Sequence, residues 1–481
     1  MIYKSYNELK DLTFDAIIIG SGPAGLSLAL DLEKKKIHTL IIEAGNDKYT
    51  DESQEFYEGN VIGDDYPELS KTRLRQFGGS SGHWGGVCRT LEKHNFENWP
   101  IKKSDLEPYS TKAAKIINLK RNNFFNKQIS ENFDVINFEV SPLRFKNKYI
   151  NQIKKSKYIS LIINSFVVEL FGENKKIKEV KFFNDNKYYN LNANFFILAC
   201  GGIENSRLML LIKKKYPNLI DKKMPIGNYW LEHPYNHVAE AFIDIENFNK
   251  LLKKKSLENI IKINCDIWFS IAPNLNFIKK NNLLDSVMNF HFIYTDFNVQ
   301  KKTFIKKLKC VAPEYVRKVL IKNNNKAITA RISIQTGQIL DFHNKIILNE
   351  NKKDPLGISQ SLVYWKKSEN VRKTYKNNIE FLGKFFIDKE IGRIAAEDFL
   401  YSQKPFDNPS GGHHMGGTIM GFNPSDSVVD KNLKVHDIVN LYICGSSVFP
   451  SVGYANPTFT IVQLSTRLSD HLSEKIKRKN I

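Results

Sequence analysis

The chain has 481 residues, 42% of them apolar, with 71 Lys+Arg against 51 Asp+Glu and a formal net charge of +20. Thirty-two phenylalanines exclude disorder as the dominant state, and at about 150 residues per domain the length predicts two to three domains. No run reaches the roughly 20 uninterrupted apolar residues of a spanning helix, and the opening MIYKSYNELKDLTF has no apolar core to serve as a secretion signal.

The first predicted element is a strand, Phe14–Ile19, a continuous apolar run of the kind buried on both faces of a sheet. Gly20-Ser21-Gly22-Pro23-Ala24-Gly25 follows, and LSLALDLEKKK reads as a helix. A second apolar strand, His38–Ile42, ends in Glu43, which completes a βαβ unit in about 30 residues. Strand-like segments at 158–170 and 177–183 suggest a hairpin across Gly172-Glu173-Asn174. Phe195–Ala199, Cys200-Gly201-Gly202 and IENSRLMLLIKKK repeat the strand–turn–helix order. Between about 235 and 400, strand-like runs (Ala239–Ile243, Val287–Tyr294, Ala330–Gln335, Lys345–Leu348, Ser361–Trp365) predict one mainly antiparallel sheet with helices. The last 80 residues give a strand, Leu441–Cys444, and a helix from about Thr458, with Asn456 as its N-cap and Pro457 at its first position. The fold class is therefore α/β, or α+β overall.

Gly20-x-Gly22-x-x-Gly25 sits between a strand and a helix, which gives the motif its meaning. Gly20 permits the tight turn, Gly22 lets the backbone approach a pyrophosphate, and Gly25 allows close helix–strand packing. The helix N-terminus, with Pro23 and Ala24, offers its dipole and N–H groups to the phosphates, and Glu43 is placed to accept from an adenosine ribose. The fingerprint alone does not choose between NAD and FAD.

The lysines are scattered in short runs (34–36, 213–215, 253–255, 301–302), so the positive charge reads as a solvated surface and no nucleic-acid partner is expected. Cys88, Cys200, Cys265, Cys310 and Cys444 are odd in number and contain no C-x-x-C pair. That pattern argues against a disulfide framework or a zinc site, so no metal is expected and the setting is expected to be reducing and cytoplasmic.

From Arg73 the chain reads RLRQFGGSSGHWGGVCR, then Asp105-Leu106-Glu107-Pro108-Tyr109, ILACGGIENSRLML (197–210), IGNYWLEHP (226–234), DPLGISQSLVYW (354–365), HHMGGTIMG (413–421) and a last stretch (428–467) containing GSSVFPSVGYANPT. In this order and spacing the motifs resemble the glucose–methanol–choline (GMC) family of FAD-dependent oxidoreductases. The resemblance implies a Rossmann-like FAD-binding domain in pieces (1–110, 155–235 and 405–481) and a substrate domain (111–154 and 236–404). It also implies oxidation of an alcohol CH–OH group by hydride transfer to flavin N5, with His413 as base and Asn456 facing the substrate oxygen.

Ser446 follows Gly445, where many members carry an Asp before the Ser-Val-Phe-Pro segment. The Gly-Gly-Ser-Ser-Gly-His-Trp stretch resembles the sugar-oxidising branch that includes pyranose 2-oxidase, which implies a sugar, glycoside or polyol substrate. In that enzyme a histidine matching His83 carries the flavin covalently, while related non-covalent enzymes also carry His-Trp here; both attachments stay open. Gly79, Ser80 and Ser81 are expected along the flavin and Val168 (or Val167) at the adenine edge, with Pro457 and Thr458 at the helix start facing the flavin. His414 is the weaker candidate base, His233 reads as a structural histidine, and Arg73 and Arg75 fit either the pyrophosphate or the surface. The electron acceptor is oxygen or a redox partner, and oligomeric state is not legible. Two rivals remain: a lyase or photodecarboxylase on the same scaffold, and an RNA-binding flavoprotein.

Overall fold

The computed structural model describes residues 1–252, 267–293, 327–403 and 412–479. Tyr294, Gly411, Cys265, Cys310 and the lysine runs at 253–255 and 301–302 lie outside that set.

Six parallel strands form the first sheet, in the order Ile2–Tyr3, Ile159–Ile162, Thr39–Ile42, Ala16–Ile19, Phe195–Leu198 and Leu441–Ile443. The central strand AIII is wholly buried because its neighbours and the covering helices are apolar on both faces, as the uninterrupted run required. Helix Pro23–Glu33 packs against the terminal helix Thr458–Lys479, so the first and last helices of the chain share one core.

The second large sheet is antiparallel. Its strands run Gly392–Ala396, Tyr235–Asp244, Ala327–Thr336, Ser286–Ile293, Ile267–Pro273, Phe133–Val140 and Val87–Cys88, with Asn126–Gln128 paired to Phe133–Val140. One face carries an apolar core against helix Glu369–Asp388, through Tyr375, Ile379, Leu382 and Phe386. The opposite face is more polar, and Gln335 reaches from it to Asn456.

Two sequence expectations need correcting. The segment 158–170 is not one strand: Ile159–Ile162 joins the parallel sheet and Phe166–Glu173 begins a separate meander with Lys176–Asn184 and Lys187–Asn192. The break falls at Asn164, which takes a positive φ, and Asn174-Lys175 and Asp185-Asn186 make the two-residue hairpin turns with positive φ at both positions. The second correction concerns Lys345–Leu348 and Ser361–Trp365. Their strands, Lys345–Lys353 and Ser359–Trp365, leave the antiparallel sheet and pair with Gly59–Gly63 in a three-stranded sheet built on Trp230, Ile346, Val363 and Trp365. Alternation predicts a strand, but not which sheet it joins.

Candidate active site

The residues that the dinucleotide motif singled out converge on one cavity of about 530 Å³. Gly20, Gly22, Pro23, Ala24, Glu43, Gly79, Ser80, Ser81, His83, Gly445, Ser446, Asn456, Pro457 and Thr458 all line it, together with His413 and His414. Gly25 is behind the wall: a Cβ there would stand 2.0 Å from the Gly20 carbonyl oxygen, so only glycine lets the helix approach its strand. Gly22 caps the helix with no side chain over the end, and a Cβ on it would meet nothing within 4 Å. The backbone N–H groups therefore face open space, as a pyrophosphate requires.

Glu43 is buried. Its Oε2 accepts from Ser21 N (2.9 Å) and Ser21 Oγ (2.6 Å), and its Oε1 accepts from Gly45 N (2.7 Å). Burial pushes this carboxyl upward, against the Ser21 and Gly45 hydrogen bonds that favour the carboxylate. Val167 and Val168 stand in a small adjoining cavity of about 70 Å³ that shares Gly20 and Glu43 with the main one. This places Val168 at the Glu43 end of the pocket, away from His413 and Asn456.

Neither Arg73 nor Arg75 is on the surface. Arg73 pairs with Glu204 at 2.8 Å and lies 4.1 Å over the Tyr57 ring, while Arg75 is buried between Phe56 and Phe166. Glu204 is held in turn by Arg207, which also pairs with Asp354, so opposing charges keep its carboxyl low despite burial. This network braces the turn Cys200-Gly201-Gly202, which lines the cavity as well. Gly202 is obligatory there, since a Cβ would fall 2.4 Å from the His414 carbonyl oxygen.

At the other end of the cavity, the loop bearing His413 is clamped to the segment before strand Tyr235–Asp244. Leu231 and Met415 exchange both backbone hydrogen bonds (2.7 and 2.9 Å), and Gly416 takes φ +67° where a Cβ would strike the Tyr229 carbonyl oxygen at 2.0 Å. The clamp brings His233 Nδ1 to 2.9 Å from His413 Nδ1. Glu232 is fully buried beneath them: its Oε1 accepts from His233 N (2.9 Å) and His413 N (2.7 Å), and its Oε2 accepts from Tyr66 OH (2.6 Å). Burial lowers the His413 pKa to about 4 and the His414 pKa to about 3, the latter also through Arg73, and holds His233 well below its usual range. His413 Nε2 has no hydrogen-bond partner among the described residues.

His233 is fully buried and touches the site through its bond to His413 without lining the cavity, in keeping with its reading as a structural histidine. Asn456 departs from its expected cap. Helix Thr458–Lys479 begins where expected, but the Pro457 carbonyl takes the first helical bond, from Ile461 N, so Pro457 stands at the cap and not at the first helical position. The Asn456 side chain instead donates from Nδ2 to the Val87 carbonyl (3.1 Å) and accepts at Oδ1 from Gln335 Nε2 (3.1 Å). Those two bonds fix its rotamer in the cavity wall. Glu232, Gln335, Ser21 and Tyr66 were not singled out in the sequence. Glu232 is adjacent to His233 within IGNYWLEHP, and that adjacency was the one available signal.

A family model described as GMC oxidoreductase matches residues 344–465. Among curated proteins, the fructose dehydrogenase large subunit of Gluconobacter japonicus is 26% identical over 335 residues, 68% of this chain and 56% of that protein. The 2-methyl-1,2-propanediol dehydrogenase of Mycolicibacterium austroafricanum is 30% identical over 132 residues, 27% of this chain and 23% of that protein. The chain therefore matches little more than half the length of the first relative and about a quarter of the second. Among solved structures, pyridoxine 4-oxidase from Mesorbium loti superposes with TM-score 0.65 at 11% identity, covering 95% of this chain and 99% of that one. A formate oxidase of Aspergillus oryzae, described through its FAD modification, superposes with TM-score 0.60 at 14% identity over 97% and 99%. Residues 344–465 thus match the GMC oxidoreductase family, nearly the whole chain shares the fold of these two oxidases, and the dinucleotide its cradle fits is FAD.

Proposed function

We propose that the protein oxidises an alcohol carbon of a small polyhydroxylated molecule, a sugar, glycoside or polyol, with His413 taking the hydroxyl proton. The observation that carries this reading is the convergence of His413, backed by the buried His233, and Asn456 on the wall of one dinucleotide cavity. The printed names of the two curated relatives, a fructose dehydrogenase subunit and a diol dehydrogenase, support it.

Bound FAD supplies the hydride acceptor. The chain supplies position and proton transfer. Base action needs a neutral imidazole, and a pKa lowered to about 4 keeps His413 neutral at ordinary pH. In the productive tautomer Nε2 takes the substrate proton while Nδ1–H donates to His233 Nδ1, which fixes the ring plane. Glu232, holding both backbones, fixes the spacing of the two rings. Asn456 offers its Nδ2 side to the substrate oxygen, and the first turn of helix Thr458–Lys479 turns its partly positive end to the cavity, where it favours negative charge.

The division into an FAD domain (1–110, 155–235, 405–481) and a substrate domain (111–154, 236–404) belongs to the same proposal; the separate cores of the two large sheets support it, except that Ala113–Ile117 and Leu143–Ile153 pack into the first core. The acceptor is oxygen or a redox partner. A cytoplasmic setting is supported by Cys88, Cys200 and Cys444, which are free. No described helix is long and apolar enough to cross a membrane. His83 lines the cavity with its side chain exposed and its pKa lowered by desolvation and by Arg144, which favours the neutral imidazole that a covalent flavin bond needs.

The test is anaerobic mixing of the purified yellow protein with a panel of sugars and polyols. Bleaching of the flavin by one of them is expected, slowed by about a thousandfold in His413→Ala while FAD stays bound, since general-base groups contribute 10²–10⁴-fold. Retained bleaching in the variant overturns the role of His413. No bleaching by any alcohol favours a non-redox flavoprotein. Colour that remains in acid-precipitated protein identifies the covalent bond, and Trp84-preserving His83→Ala should release it.

A further inference from the structure

On the polar face of the antiparallel sheet, away from the cavity lining, His237, Glu240 and Glu397 bring one ligand atom each within 4.8 Å of one another. The backbone register explains how residues of unlike spacing meet. In strand Tyr235–Asp244, His237 lies opposite Ser333 and Ala239 opposite Ile332, so Val238 is an extra, bulged residue. The bulge moves every later residue by one position, and Glu240 comes opposite Arg331, two residues from Ser333 on the same face. On the other side, Glu240 pairs with Ala395 and Ala239 with Ala396. Glu397, two residues beyond Ala395, therefore shares the face of His237 and Glu240, and its N–H bonds the Val238 carbonyl at 2.9 Å.

The chemistry of the group is that of a cation site. His237 has two buried ring nitrogens without a hydrogen-bond partner among the described residues. Its Nε2 lies 3.3 Å from Glu397 Oε1, yet makes no aligned hydrogen bond with it. A zinc ion with bonds of about 2.0–2.2 Å has a tetrahedral ligand–ligand edge of about 3.3–3.6 Å. The observed separation matches that edge. The two carboxylates supply two negative charges, which one divalent ion balances, and the imidazole offers a ring-nitrogen lone pair; Arg331, opposite Glu240, and His291, electrostatically close to His237, are the neighbouring basic groups. All three residues are half-buried, and with the His237 nitrogens covered, solvent would reach a fourth position from the carboxylate side.

We propose that His237, Glu240 and Glu397 bind a divalent transition-metal ion of the zinc type, with water as the fourth ligand. The ion ties the bulged strand Tyr235–Asp244 to the edge strand Gly392–Ala396. His237 is in strand Tyr235–Asp244 and His233 precedes it by four residues of chain, about 13 Å if extended at 3.3 Å per residue, so the ion stands apart from the proton-transferring pair. Imidazole with two carboxylates selects zinc over magnesium, which prefers an all-oxygen shell and keeps its waters.

The experiment uses the flavin-loaded protein, freed of any affinity tag, stripped with a chelator and dialysed against Zn²⁺, with Mg²⁺ in a parallel arm. One Zn²⁺ per chain is expected by elemental analysis, with a rise in melting temperature on adding Zn²⁺. His237→Ala and Glu397→Gln should each weaken binding by at least about tenfold, as even the loss of a ligand's supporting hydrogen bond costs 10–100-fold. An unchanged flavin spectrum in metal-free buffer shows that each variant is folded, and Glu240→Gln replaces one that is not. No stoichiometric Zn²⁺, binding that survives both substitutions, or Mg²⁺ bound as tightly as Zn²⁺ overturns the assignment.

Discussion

Asn456 acts through a rotamer that two neighbours hold, and the nearer test of the site is at those neighbours. The Gln335 side chain donates from Nε2 to Asn456 Oδ1 at 3.1 Å and to the Tyr454 carbonyl at 2.7 Å, and it does not itself line the cavity. Gln335→Leu keeps the size of the side chain and removes both bonds. The expected result is a two- to tenfold slower flavin reduction, about the worth of one hydrogen bond, with FAD affinity unchanged. Asn456→Ala should cost more, on the order of 10²–10³, the range for losing a positioned donor at a developing charge. Stopped-flow bleaching measures both, and equal losses would mean that Gln335 is not a positioning residue. Of this group, Asn456 and His413 were legible because they sit in motifs with neighbours that mark them. Gln335 was not, because in an alternating strand a glutamine on the polar face looks like any solvated position. The contact of His233 with His413 is hidden for a related reason. A histidine before a proline is ordinary, and only the Leu231–Met415 clamp brings it to His413.

At the level of the element, the turn from strand Ala16–Ile19 into helix Pro23–Glu33 separates two roles for glycine. Gly25→Ala forces a Cβ to 2.0 Å from the Gly20 carbonyl oxygen, so the helix must lift from its strand. The melting temperature and FAD affinity should both fall, the latter by tenfold or more on the scale of about 1.4 kcal/mol per decade. Gly22 has φ −70° and open space at its Cβ, so Gly22→Ala should melt like the parent without cofactor and still bind FAD poorly. Fluorescence titration with differential scanning distinguishes the two; identical behaviour would refute the division of roles. This unit was legible almost residue by residue, since buried apolar strands, glycine spacing and the following helix are all local signals. The hairpin Lys345–Lys353 with Ser359–Trp365 was legible as strands and not as a partner of Gly59–Gly63. Its pairing spans some 300 residues, and nothing local encodes it.

For the whole molecule, the +20 charge and the buried histidines act in one direction as pH falls. His233, His413 and His414 resist protonation when folded, whereas in the unfolded chain they take protons near pH 6.5. Their contribution is therefore fully present above about pH 6.5 and is lost as pH falls toward 4, by a few kcal/mol in order of magnitude. Protonation of carboxylates then adds to the positive self-repulsion. The urea midpoint of the cofactor-free protein should drop clearly between pH 7.5 and pH 5, and a flat midpoint would show that these histidines titrate normally when folded. The same charge said little about the reaction, because scattered lysines constrain solubility and approach more than they constrain a buried site.

The cavity wall draws Gly20 and Glu43 from the start of the chain, Gly202 from its middle, and His413, Gly445 and Asn456 from its final fifth. Such a cradle has no partial form. Its floor and its lid are separated by most of the polypeptide, so high-affinity capture of the flavin waits until the most distant contacts have closed. Cofactor uptake then serves as a clock for maturation: the quenching of flavin fluorescence marks the moment when the ends of the chain have met, and each captured flavin draws the remaining unfolded molecules after it by mass action.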